Sequence, residues 1–493
     1  MTTPIVLAAI NAKWIHPSLA LRLLKANLGD LDRPGGCRIM EFAPRQSLAE
    51  KTAPILAVAP RILGLSVSIW NHRAVLELLD ALERRWGPPG PPRPVVVLGG
   101  PELTGLPEDA ELFRPADFVI RGEGEEVFPV LCRAVLKDPR EAKRAYGKFL
   151  DPGPVDLAAL KPAYDLYTPE DLRRKLIYVE ASRGCPYACA YCQSALKRGS
   201  AAAREFPLEG FLENLDALLG RIRREGRADP GEAGGKARRT IKFLDRSFNV
   251  NPRRASRILG YCLAQTGDAG SPFQFHFEMT PSVFPGELRR TLSLFPPGSL
   301  RLEIGVQSLN PQARALVNRP FDPPGEWEVL RFLRRETAAV VHADLIAGLP
   351  GEDLASFGRG FDRLWMAGTG DGAAAPFEIQ PGILKCLPGT PLRAMAEDGR
   401  FQVRYDPAPP YEVTATAGLP AKDMEGLKNF ARFWELIVNR GPLPGLFPPP
   451  APPGEPVFAR FMELAGKLRD HFGRNWGIPR EELRAACVSL AGR

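Results

Sequence analysis

Apolar residues along this 493-residue chain fall into two rhythms, short continuous or alternating runs and longer stretches of helical period. In the first 140 residues, Ile5–Ile10, 62–69, Val95–Gly99 and Phe118–Ile120 read as buried strands, and 18–28, 74–86 and 125–136 as helices. Alternation with glycines at strand ends predicts an N-terminal doubly wound, Rossmann-like α/β domain. A second series begins near residue 175. Strands are expected at 175–182, 240–247, 273–280, Leu300–Gln307, 340–346 and 377–384. Helices at 208–224, 252–265, 285–294, 324–336 and 353–366 intervene, so a partial (β/α)6 barrel is predicted. The expected organisation is 1–140 as the first domain, 141–174 as linker, 175–395 as barrel and 396–493 as a small, mostly helical C-terminal domain. In that last part a helix is predicted over 421–440, then a proline-rich break over 442–456 and a final helical pair.

The length supports two to four domains. Hydrophobic content of 44% and charged content of 25% exclude a disordered chain, a coiled coil and a collagen-like repeat. No stretch approaches the ~18 apolar residues that a membrane span needs, and residues 1–9 lack a basic leader. A soluble, cytoplasmic protein with no membrane association is expected. Lys and Arg number 65 against 57 Asp and Glu, a net +8. That excess suits either a solvated basic surface or attraction to nucleic acid. The runs 221–227 and 236–239 flank a glycine-rich stretch and read as an exposed loop. Proline runs at 88–94 and 448–453 read as loops or stiff connectors.

Eight cysteines in such a chain do not form a disulfide scaffold. Cys37, Cys132, Cys262, Cys386 and Cys487 are scattered; Cys185, Cys189 and Cys192 form CxxxCxxC. Structural zinc wants four closed ligands, and no His or fourth Cys lies nearby. Buried structural thiols do not require Gly184 and Pro186 beside them. Three thiolates on a short loop suit a [4Fe–4S] cubane, metal-bound through three irons with the fourth open. The motif, with Tyr191 before its last cysteine, resembles the radical S-adenosyl-L-methionine (SAM) superfamily. The resemblance implies SAM bound at the open iron and cleaved by the reduced iron–sulfur cluster. It also implies SAM contacts from Tyr191 and from the strand-end residues Asp245, Glu278, Glu303 and Gln307, with Asp344 nearby. Gly348, in the Ile346-Ala-Gly-Leu-Pro-Gly-Glu352 turn, joins that set. The segment 243–249 departs from the superfamily's usual Gly-Gly-Glu, and Asp245 is the expected substitute. Singly, each carboxylate is equally compatible with a helix cap or an arginine partner.

The strand-end loops of the first domain read Asn11-Ala-Lys13-Trp14-Ile-His16, Ser66-Val-Ser68-Ile-Trp70-Asn71, Gly99-Gly100-Pro-Glu102 and Arg121-Gly122-Glu123-Gly124-Glu125. None is a dinucleotide fingerprint. In this order they resemble the cobalamin (B12)-binding domain of one large radical SAM class. The resemblance covers residues 1–395 and implies cobalamin contacts from Asn11, Lys13, Trp14, Ser66, Ser68, Trp70, Gly99, Gly100, Glu102, Gly122, Glu123 and Gly124. Residues 396–493 resemble the C-terminal domain, of unassigned function, of one subgroup. No Asp-x-His-x-x-Gly string is present, so His16 is expected to brace its loop rather than ligate cobalt. Cys386 is expected not to be a cluster ligand; a small strand-end residue and a catalytic thiol are both open readings of it.

The family implies a cobalamin-dependent methyltransferase that methylates an unactivated carbon through methylcobalamin and a 5′-deoxyadenosyl radical. Ring closure, oxidation or rearrangement without methyl transfer is the alternative. A cobalamin-binding sensor with a structural cluster is the second. A small-molecule, peptide or RNA substrate, an electron donor such as flavodoxin or ferredoxin, and a monomeric state complete the expectation. No residue is assigned a catalytic role in the chemistry itself.

Overall fold

Continuous apolar runs are what parallel strands covered on both faces require. The computed structural model describes residues 3–196, 203–227, 238–267, 271–319, 322–369, 377–439 and 456–491. In it, β1 (Ile5–Ile10), β2 (Cys37–Phe42), β3 (Ile62–Ser66), β4 (Val95–Gly99), β5 (Phe118–Ile120) and β6 (Phe149–Leu150) form one sheet in the order β2-β1-β3-β4-β5-β6. Every pairing is parallel. All six residues of β1 are buried. Their alternation explains why: Val6, Ala8 and Ile10 enter one core with Leu78, Leu79 and Leu82, while Ile5, Leu7 and Ala9 enter another with Leu21, Phe128 and Leu131. Strand order reverses at β1, the place where such sheets open a crevice.

Two elements of this sheet escape the periodicity. β2 is an edge strand carrying Arg38 and Glu41, which break its apolar run. The helix Leu48–Val58 contains Pro54 and is started by a reciprocal Ser47–Glu50 cap. The segment read as a linker also carries structure, namely a helix Pro139–Tyr146 capped by Asp138, then β6 and a helix Pro169–Arg174.

The chain divides into two compact units, one of Met1–Pro186 with Leu196–Leu244, the other of Tyr187–Ala195 with Asp245–Arg493. The first unit also holds β7 (Ile177–Val179), β8 (Ser182–Arg183), β9 (Arg204–Glu205) and β10 (Arg239–Phe243). β7 pairs with β10 in parallel and β8 with β9 antiparallel. The basic run 221–227 is not a loop but the end of the helix Leu208–Arg227, and Arg221 donates to the Tyr164 and Tyr167 carbonyls at 2.8 and 2.7 Å. An apolar face on Phe211, Leu215, Leu218, Leu219 and Ile222 carries the helix through those charges. Of the second run, residues 236–237 lie outside the described residues and Arg239 begins β10.

In the second unit, β11 (Phe273–Met279), β12 (Leu300–Gln307), β13 (Val340–Ala347) and β14 (Glu378–Ile383) pair in parallel and in sequence order. Helices Gly286–Ser293, Pro323–Glu336 and Leu354–Thr369 connect them. Leu300, Leu302, Ile304 and Val306 are buried, whereas the residues between them are only half-buried. Helices Ala421–Trp434, Phe458–Phe472 and Arg480–Ala491 complete the C-terminal region. Phe361 of the last barrel helix lies edge-on to Trp434 and Phe430, with ring centroids 4.7 and 5.0 Å away, so this region is bolted to the barrel by aromatic packing. Residues 440–455, with nearly all of the proline-rich break and the run 448–453, lie outside the described residues. Among the described residues no helix is long and apolar enough to cross a membrane.

Candidate functional site: a three-cysteine loop and two sets of strand ends

Gly184, at φ +92°, makes the turn that opens the cysteine loop. Backbone bonds then hold it. The Ala190 amide donates to Val317 O at 2.8 Å, the Leu392 amide to Ala190 O at 2.9 Å, and the Cys192 amide to Cys189 O at 3.0 Å. Arg319 donates to Gly305 O at 2.5 Å and lies 3.8 Å from the Cys189 sulfur, so one guanidinium ties the loop to β12. None of the three cysteines is in a disulfide; Cys189 is buried and Cys185 and Cys192 are half-buried. Tyr191 is half-buried beside Cys189 and Cys192, and desolvation raises its phenol although Arg319 pulls the other way. No three His, Cys, Asp or Glu side chains converge around a single ion among the described residues. A cubane asks for something else, because each thiolate takes a different iron and the sulfurs stand apart. Three cysteines on one anchored loop, none in a disulfide, fit that group.

The half-buried face of β11–β14 is polar. Register places Glu278, Glu303, His342 and Glu378 in one row across the four strands. His276 Nε2 lies 3.1 Å from Glu303, and Arg301 pairs with Glu378 at 2.6 Å while His342 also contacts both. Burial pulls His342 down to about 4, aided by Arg301, so its imidazole is neutral at pH 7. Toward the strand ends lie Asp344, Gln307 at φ +68° beyond a bulge, and the buried Asp245. Ser308 donates to Glu352 at 2.7 Å, beside the turn that contains Gly348. A side chain at Gly348 would meet Met424 at 3.0 Å, and φ is +101°, so packing and turn geometry already demand glycine there.

In the first unit, Asn71 sutures the ends of β1 and β3. Its amide donates to Ile10 O at 2.9 Å and Ser66 O at 3.1 Å, and its oxygen accepts from the Ser68 amide at 2.8 Å. Trp70 adds an indole bond to Ile10 O at 3.3 Å yet stays 58% exposed, and Trp14 is 45% exposed. Lys13 is exposed, and Asn11 donates to Glu41 at 3.0 Å. Gly100 lets β4 pass Val67, whose carbonyl an added Cβ would meet at 2.3 Å. The mouth is thus a set of close-packed backbones carrying two partly exposed rings, Trp70 and Trp14, the latter with the Lys175 ammonium 5.6 Å from its centroid. His16 sits beside it, its Nδ1 bonded to the Tyr178 hydroxyl and its ring stacked on Tyr178. That is a bracing contact.

No family model matches the chain. It is 29% identical over 380 residues to the 2-(S-pantetheinyl)-carbapenam-3-carboxylate methyltransferase of Streptantibioticus cattleyicolor, covering 71% of this chain and 50% of that protein. The chain therefore spans about half the length of that relative. Its fold matches the cobalamin-dependent SAM radical enzyme OxsB with aqua-cobalamin bound, at a TM-score of 0.66 over 99% of this chain and 79% of that one, with 15% identity. The chain thus has the fold of a cobalamin-dependent SAM radical enzyme. TsrM from Kitasatospora setae, with cobalamin and a [4Fe-4S] cluster bound, gives 0.59 over 85% and 82%, also at 15% identity.

Within that fold, some sequence-predicted residues already have partners. Glu102 is 1% exposed and bonds His72 at 2.9 Å. Glu123 accepts from the Val155 amide at 3.0 Å and pairs with Arg183 and Arg204. Gly122, at φ +135°, and Gly124, packed on Leu24, serve the turn beneath them. Sequence reasoning missed three positioning residues. Asn71 follows a predicted strand end and was legible as a loop anchor. Arg319 and Arg183 carry no local signal, because their roles arise from contacts across the fold. Arg183 bonds Glu125 at 2.6 Å and Glu180 at 3.0 Å, two residues before Cys185, and so joins the Gly-Glu-Gly-Glu loop to the start of the cysteine loop.

Proposed function

We propose that the protein is a cobalamin-dependent radical SAM methyltransferase acting on an unactivated carbon. The observation that carries this reading is an anchored CxxxCxxC loop with no cysteine in a disulfide, on a chain whose other parallel sheet has exposed tryptophans at its strand ends. Cys185, Cys189 and Cys192 would hold a [4Fe–4S] cluster, with SAM contacts from Tyr191, Asp245, Glu278, Glu303, Gln307 and Gly348. Asn11, Lys13, Trp14, Ser66, Ser68, Trp70, Gly99, Gly100, Glu102, Gly122, Glu123 and Gly124 would form the cobalamin site. When bound, the cluster supplies the electron that cleaves SAM and cobalamin carries the methyl group. The protein's part is to orient and to exclude water. Arg319 holds the cysteine loop against β12, the Glu278–Glu378 row offers acceptors for the ammonium and hydroxyl groups of SAM, and neutral His342 leaves that row acidic. Glu102 and Glu123 also fix the loops of that site, through His72 and through the Val155 amide and Arg204. Residues 1–140 serve cobalamin, 175–395 serve the cluster and SAM, and 396–493 brace the barrel. A cytoplasmic setting with a flavodoxin or ferredoxin donor accords with eight cysteines of which none is in a disulfide. A small molecule, a peptide and RNA remain the substrate classes, and we take the active form to be a monomer.

Anaerobic reconstitution with iron, sulfide and cobalamin, followed by chemical reduction in SAM, tests this. The parent should release 5′-deoxyadenosine and S-adenosylhomocysteine. The triple Cys185→Ala, Cys189→Ala, Cys192→Ala variant should lose cluster iron and 5′-deoxyadenosine together. Parental iron content in that variant would overturn the cluster assignment. A turned-over substrate without the mass of an added methyl group would overturn methyl transfer and favour ring closure or oxidation.

A further inference from the structure

β7 pairs with β10 through one row of its backbone groups, as the Leu244 amide does by donating to Val179 O at 2.9 Å. The alternate residues Leu176, Tyr178 and Glu180 turn their backbone groups the other way. That row is closed from outside the strand. The Tyr167 hydroxyl donates to Tyr178 O at 2.7 Å and accepts from the Tyr178 amide at 3.1 Å. The Tyr164 hydroxyl does the same for Glu180, at 3.3 and 3.1 Å. The third partner comes from the loop after β1, where Ile15 O accepts the Leu176 amide at 3.0 Å. Side chains repeat the contact. His16 bonds the Tyr178 hydroxyl and stacks on its ring at 6.1 Å, and the Lys175 ammonium lies 5.6 Å from the Trp14 centroid. A loop proposed to touch cobalamin is thus the edge partner of the strand that leads into Cys185.

A second link lies a few residues on. Arg183 meets Glu125 at 2.6 Å, Glu180 at 3.0 Å and Glu123 at 3.4 Å, and Gly184 turns the chain into Cys185 directly after it. Its side chain and that of Glu125 are about nine-tenths buried, so this pairing is held in a poorly hydrated place where charge-assisted bonds are strong. Arg204, opposite Arg183 in the β8–β9 pair, also binds Glu123. Two of the proposed cobalamin loops, 11–16 and 121–125, therefore share their contacts with residues 175–183. All these residues belong to the first compact unit. The loop 11–16 has no regular structure, and Lys13 and Trp14 are exposed, so a ligand that orders it also orders the edge of β7.

We propose that Tyr178 and Arg183 are positioning residues that couple the cobalamin loops to the opening of the cysteine loop, so that binding at either site favours the other. This rests on the cobalamin and cluster reading above. The test is hydroxocobalamin titration and hydrogen exchange on the full-length protein, with and without its reconstituted cluster. In the parent, the cluster should tighten hydroxocobalamin at least about fivefold. Hydroxocobalamin should slow exchange across 175–183 as well as in the two loops. Arg183→Met, and Tyr178→Phe through loss of its bond to His16, should each bring the affinity ratio toward one and confine the slowing to the loops. Tyr178→Phe keeps the ring and serves if Arg183→Met fails to fold. A purely structural staple would weaken cobalamin equally with and without the cluster, so a parental ratio in the folded variants overturns the proposal. Equal affinity in the parent with and without the cluster, or slowing confined to its loops, overturns the coupling alone. A parent that binds no cobalamin overturns the functional reading, and the coupling with it.

Discussion

Single residues carry the sharpest electrostatic consequences. Glu352 is 2% exposed, and burial pushes its carboxyl up to about 7 despite the Ser308 bond. The folded state thus binds a proton that the unfolded state releases near pH 4.5. The stability it contributes is complete below that pH and is lost as pH rises toward 7, by about 3 kcal/mol at most. Melting curves from pH 5 to 8 should show this decline in the parent and a flatter profile in Glu352→Gln. An equally steep profile in the variant would place the titrating group elsewhere. Cys386 shows the opposite kind of inertness. It is fully buried, its thiol is pushed up to about 11 by burial, and its amide donates to Tyr411 O at 2.8 Å. Cys386→Ala should keep parental iron content and turnover; lost turnover with intact iron would make it a catalytic thiol after all.

At the scale of elements, function gathers where strands end. The chain satisfies the strand-end backbones with Asn71 and Gly100 and leaves the rings of Trp14 and Trp70 to solvent. Hydroxocobalamin at a hundredfold excess over its Kd should stabilise the protein by about 2.7 kcal/mol. Trp70→Ala should remove much of that gain while moving the ligand-free midpoint by under about 0.5 kcal/mol, since an exposed ring contributes little to the core. An undiminished cobalamin shift in the variant would exclude Trp70 from the site. The predicted strands and helices were largely legible, because apolar periodicity is written locally. The edge strand β2, the proline-bearing helix Leu48–Val58 and β6 were not. Charged edge positions, an internal proline and a two-residue strand all erase the periodic signal.

Across the whole first unit, one buried ion cluster joins distant stretches of chain. Arg22, 3% exposed, bonds Glu41 at 2.9 Å and Asp171 at 2.7 Å, and Asp171 also pairs with Lys175 at 2.9 Å. The first helix is thereby fastened to the segment that leads into β7. Removing one partner of a buried cluster strands the rest, at about 3–5 kcal/mol. Arg22→Met should lower the first unfolding transition in denaturant by that order, with parental behaviour showing the cluster to be dispensable. The sequence by itself determined the strand–helix rhythm, the glycine turns and the cysteine spacing, because each depends on neighbours a few residues apart. It also carried the chemistry that three thiols on one loop can hold. Only the tertiary structure decided which acidic residues were taken by arginines or histidine. Glu123 meets Arg183 and Arg204, Glu102 meets His72, and Arg319 meets Cys189 through contacts spanning 30 to 130 residues. Local pattern cannot encode such pairings, since charge pairing in a folded chain is set by the packing of elements that are far apart in sequence.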